Sequence, residues 1–75
     1  VKIVCKKLKG LMAENDITAG ELSNKLGIPE NKLKEKINGV LEWWFSETMC
    51  VVKYLGFSEV REVFPEQYSH ILKMP

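Results

Sequence analysis

Apolar residues recur along this chain at helical spacing. In residues 3–14 they fall at Val4, Leu8, Leu11 and Met12, one stripe of a 3.6-residue period. Gly10 interrupts that stretch at a cost of about 1 kcal/mol relative to Ala, and Asn15-Asp16 is a natural stop. Thr18 and Glu21 stand three apart, the spacing of a capping box in which hydroxyl and carboxylate each satisfy an orphan backbone N–H. Leu22 and Leu26 then share a face, and Gly27 ends the segment. Pro29 suits the first turn of a new helix, because its missing N–H would be unpaired there. Leu33 and Ile37 line that helix, and Asn38-Gly39 stops it through the left-handed conformation glycine allows. After Val40-Leu41-Glu42-Trp43-Trp44-Phe45, Ser46 reads as a cap. Residues 47–55 form a fourth helix burying Thr48, Val51, Val52 and Leu55 together with Phe45. Gly56 stops it, and Ser58 caps a short fifth helix that runs to Phe64 before Pro65. No segment alternates with period two, so strands are not indicated. The expected fold is all-α, a compact bundle of about five short helices in a single domain over 1–75.

Length limits what such a bundle can do. A 75-residue chain buries about 60% of its unfolded surface, enough for one small core. The longest apolar run is Met49 to Val52, far too short to span a bilayer. Lys2, Lys6, Lys7 and Lys9 interleave with apolar residues at the N-terminus, which is not the pattern of a secretory signal. Cys5 and Cys50 lie 45 residues apart with no metal-ligand spacing, so the expectation is two reduced thiols and no zinc. His70 has no nucleophile paired with it in the sequence, and no glycine loop for phosphate occurs. No catalytic residue, cofactor, metal or small-molecule ligand is therefore assigned.

Charge adds an asymmetry. The formal net charge is only +1. Residues 1–39 nevertheless hold eight lysines and five acids, and residues 40–75 three basic residues and five acids. A basic front half points to an anionic partner, although the isoelectric point of 7.9 is modest for a nucleic-acid module.

Helix, three-residue turn with glycine, helix is the layout of a helix-turn-helix. Residues 18–39 read TAGELSNKLGIPENKLKEKING. They resemble the DNA-binding domain of the lambda-repressor/Cro family of bacterial and phage regulators. The resemblance rests on Thr18, Glu21-Leu22, Lys25-Leu26-Gly27-Ile28, Leu33, Ile37 and Asn38-Gly39, and extends over residues 3–64. The chain departs from the family at Ala19, where a phosphate-holding Gln is usual. It departs again at Val40-Leu41, where a basic residue often follows the turn. Both changes weaken the expected grip on the DNA backbone.

The resemblance implies a cytoplasmic transcriptional regulator that reads double-stranded DNA with its third helix. It would bind a pseudo-palindromic operator as a homodimer. With Leu33 and Ile37 inward, the opposite face carries Asn31, Glu35 and Asn38, flanked by Lys32 and Lys34, with Glu30 at the N-terminal end. Asn can pair with adenine, Lys can donate to guanine and Glu can accept from cytosine. Glu30, Asn31, Lys32, Lys34 and Glu35 are thus the base-reading candidates. Thr18, Lys25, Lys36, Asn38 and Trp44 are the backbone candidates, Trp44 through its indole N–H. Trp44 could equally meet a partner protein or fold back on the fourth helix, with Trp43 and Phe45 in the core. Phe57, Val60, Val63 and Phe64, with Tyr68, Ile71 and Leu72, exceed what one small core should need, so helix 5 and the tail (58–75) are the expected dimer surface. The alternative is a protein-interaction module, an antirepressor or adaptor, on the same scaffold.

Overall fold

The computed structural model describes residues 3–68, which form five helices and no strand. They are α1 (Lys6–Glu14), α2 (Ala19–Leu26), α3 (Glu30–Ile37), α4 (Phe45–Tyr54) and α5 (Val60–Val63). Helix α2 packs on α3 and α4, α4 on α5, and α1 on α5. Among the described residues no helix is long and apolar enough to cross a membrane.

One device ends four of the helices. The N–H of Ile17 reaches Met12 C=O (2.9 Å), that of Ile28 reaches Ser23 (3.1 Å), that of Val40 reaches Glu35 (2.8 Å) and that of Phe57 reaches Val52 (2.9 Å). Each follows a residue with positive φ: Asp16, Gly27, Gly39 and Gly56. This is the Schellman closure, which satisfies orphan carbonyls and usually tucks the next apolar side chain against the helix. Ile17, Ile28 and Phe57 do pack on the core, whereas Val40 stays 48% exposed. Gly39 has a second reason to be glycine. A Cβ there would lie 2.5 Å from the Ile3 backbone nitrogen.

That contact also corrects the first helix. The expected start at residue 3 gives way to Lys6, because the chain before it lies against the end of α3. Cys5 N–H donates to Ile37 C=O at 2.9 Å, a tertiary bond that competes with helix formation.

The capping box at Thr18 is as expected. Glu21 N–H donates to Thr18 Oγ1 at 3.1 Å and Thr18 N–H to Glu21 Oε1 at 3.3 Å. Helix α4 begins earlier than Ser46 implies. Trp44 is its N-cap, held by its own N–H donating to the Glu47 carboxylate at 2.9 Å. Phe45 then falls in the first helical turn, at the edge of the Thr48–Val51–Val52 stripe, and is 45% exposed rather than core. In α5 the N-cap is Glu59 rather than Ser58, and the Ser58 and Glu59 N–H groups both converge on Glu62 Oε1.

The core gathers Leu8, Leu11, Leu22, Leu33, Val51, Val52 and Trp43 around Phe64. Trp43 and Phe64 meet edge to face, ring centroids 4.9 Å apart. The proposed dimer surface is thereby corrected. Val63 and Phe64 are fully buried and Val60 is 8% exposed, while Phe57 is half-buried against the core. The physical reason is helix length. Each helix supplies only two or three inward residues, so α5 must close the core and has no spare apolar face. Tyr68 packs against that core, while Ile71, Leu72 and His70 lie outside the described residues.

Candidate nucleic-acid interface

Gly27, Ile28 and Pro29 join α2 to α3, and the sequence dictates how rigidly. The box at Thr18 anchors one end of α2 and the Schellman closure at Gly27 the other. Leu33 and Ile37 then fasten α3 to the core. What remains outside on α3 is Glu30, Asn31, Lys32, Lys34 and Asn38, all exposed, with Glu35 half-buried. Five of the six candidates at the turn and on α3 other than Lys36 therefore share one solvent-facing surface, as helical spacing requires.

Two of them are tied together. Lys34 Nζ lies 3.2 Å from Glu30 Oε2, and both side chains are more than half exposed, so the pair contributes at most about 1 kcal/mol and exchanges readily for another partner. Glu30 also reaches over the start of α2. A Cβ at Gly20 would sit 3.3 Å from its Oε1, so Gly20 leaves the space that this carboxylate uses beside the helix N-terminus. Lys25 is exposed and holds its ammonium 5.4 Å from the centre of the Tyr54 ring, a cation–π contact that steadies the charge at the surface. Thr18 is exposed, but its hydroxyl is engaged with Glu21. Its part in the site is to fix the start of α2.

Lys36 is the candidate that the structure removes. Its residue is 7% exposed. The ammonium lies 2.9 Å from Glu47 Oε1 and donates to the Glu42 carbonyl at 2.8 Å. It joins the end of α3 to the start of α4 and has no path to a phosphate. The residue's carbonyl accepts from the Trp43 indole N–H at 3.1 Å. A charge at position 36 looks solvated in the sequence because its partner, Glu47, is eleven residues away and meets it only through the fold.

Behind α3 the same polar seam continues to Cys5. Gln67 Nε2 donates to Ile3 C=O at 2.7 Å and to Cys5 Sγ at 2.9 Å. Burial pushes the Cys5 thiol above its ordinary value, against the opposing effect of the Trp43 and Gln67 hydrogen-bond donors. Both cysteines are free thiols. Among the described residues no group of His, Cys, Asp or Glu is gathered to hold a metal.

Two surface features escaped the sequence reading. One is an open groove of about 390 Å³ between α1 and α3, floored by Met12, Ala13, Ile17 and Ile37 and rimmed by Lys9, Lys34 and Asn38. Only Lys34 and Asn38 among these carried a signal, because α1 comes beside α3 through tertiary packing. The other is a ridge of Val40, Trp44 and Phe45, exposed by 48%, 67% and 45%. The Trp44 indole N–H has no partner among the described residues, so that side chain is free to meet another molecule. No protein-family model, curated protein or solved structure matches this chain.

Proposed function

We propose that this protein is a sequence-specific DNA-binding regulator that places α3 in the major groove as a helix-turn-helix. The observation that carries the reading is the outer face of α3. Asn31, Lys32, Lys34 and Asn38 are exposed there and do no work in the core, while two capped ends of α2 and a three-residue turn hold the helix rigidly. Asn31 pairs with adenine and Lys32 and Lys34 donate to guanine. Glu30 and Glu35 accept from cytosine, and Lys25 and Asn38 hold the backbone. One helix of eight residues reads a half-site, so two copies on a pseudo-palindromic operator supply specificity.

Selection of bound sequences from a random duplex pool tests this directly, and enrichment of an inverted repeat is the expected result. On the selected operator, Asn31→Ala should cost about 1–3 kcal/mol at one base position. Lys25→Ala should weaken all duplexes alike and reduce the salt slope by about one. Equal, uniform losses for both variants would overturn the assignment of roles.

A second reading has its own observation. The α3 face balances two lysines against two glutamates, and the apolar ridge beside it is the sort of surface that meets protein. On this reading the scaffold is an antirepressor or adaptor. Duplex affinity that is absent, or indifferent to salt, would favour it.

A further inference from the structure

We propose that two copies of this chain associate by seating the Val40–Trp44–Phe45 ridge of one in the α1/α3 groove of the other. The proposal deepens the dimeric reading above by naming its surface, and it stands on geometry that needs no DNA.

Both halves of the contact are present on one molecule. The ridge offers Val40, the one apolar residue after a Schellman closure that is not tucked onto the core, together with Trp44 and Phe45. The groove offers an apolar floor of Met12, Ala13, Ile17 and Ile37. Apolar surface of this kind, exposed in a patch rather than singly, marks an interface. A tryptophan projecting 67% into solvent is the residue type that anchors interfaces when it finds a pocket.

Charge selects the pairing. The groove lining includes Lys9 and Lys34 and no acid. From Ile37 to Val52 the chain has two acids, Glu42 and Glu47, and no lysine or arginine. A ridge on a second ridge gains nothing from these charges, and a groove on a groove sets lysine against lysine. Ridge in groove joins unlike potentials.

Position permits reciprocity. Ile37 and Asn38 line the groove and Val40 begins the ridge, so the two features meet across Gly39. A two-fold axis beside that turn lets each copy give its ridge and receive the other's. The N-terminal end of α3, with Glu30 and Asn31, stays outside the contact.

Sedimentation of the 75-residue chain without DNA, from about 1 μM to 1 mM, tests the idea. A concentration-dependent dimer is expected. Trp44→Glu and Ala13→Glu, each at an exposed position, should leave the helical circular dichroism unchanged. Each should weaken the dimer by about 30-fold or more. Mixing the two variants is the decisive arm. One copy then keeps an intact groove and the other an intact ridge, so the mixture should associate more tightly than either variant alone. A chain that stays monomeric to 1 mM overturns the proposal. So does a dimer indifferent to both variants, or one sensitive to Trp44→Glu alone, which would mean ridge against ridge. Failure of the duplex selection leaves these outcomes unaffected, so the two readings fall separately.

Discussion

Replacing Lys36 by methionine separates a structural ammonium from a DNA contact. Lys36 Nζ sits 2.9 Å from Glu47 Oε1, and the two side chains are 8% and 14% exposed. Breaking a buried pair from one side costs about 3–5 kcal/mol, because the remaining charge keeps its desolvation penalty. Glu47 retains one donor, the Trp44 N–H at 2.9 Å, which places the expected loss near the lower end, about 3 kcal/mol. A 75-residue domain has roughly 4–11 kcal/mol to lose, so the variant should be folded at 25 °C but much weakened. Adding Glu47→Gln removes the orphaned charge while an amide oxygen still accepts from Trp44. The double variant should recover about 2 kcal/mol. Urea denaturation followed by tryptophan fluorescence is the assay, since the Trp43 indole N–H is bonded to the Lys36 carbonyl. The reasoning is refuted if Lys36→Met lies within about 0.5 kcal/mol of the native chain while duplex affinity drops, because the ammonium would then be free to reach a phosphate.

Three further outcomes follow from the packing. Val63→Asp puts a charge at a fully buried position and should unfold the chain rather than give a folded monomer, as circular dichroism would show. Gly10→Ala should stabilise by about 1 kcal/mol, since a Cβ at that helical position meets nothing within 4 Å; the melting midpoint should rise by about 4–8 °C. Because burial raises the Cys5 thiol, the unfolded chain loses that proton first, from about pH 8.5. The stability contributed by the protonated thiol is therefore complete below that pH and is lost as pH rises through the raised folded value. Urea midpoints between pH 7.5 and 10 should fall, and Cys5→Ala should flatten the fall.

Local signals were decisive wherever the structural cause is local. The Thr18–Glu21 box, the glycine stops at 27, 39 and 56 and the inward Leu22, Leu33, Ile37, Thr48, Val51 and Val52 all follow from contacts within a turn or two, which spacing alone encodes. The surface of α3 follows too, because helical geometry turns Asn31, Lys34 and Asn38 outward once Leu33 and Ile37 are inward. Only the tertiary structure could decide the fates of Lys36, Phe45 and α5. Lys36 is buried because Glu47 and the Glu42 carbonyl arrive from outside its helix. Residues 3–5 leave α1 because Ile37 offers a carbonyl to Cys5. Val60, Val63 and Phe64 enter the core because four short helices leave Trp43 uncovered, and no periodicity within residues 60–64 records how much apolar surface the rest of the chain has left open.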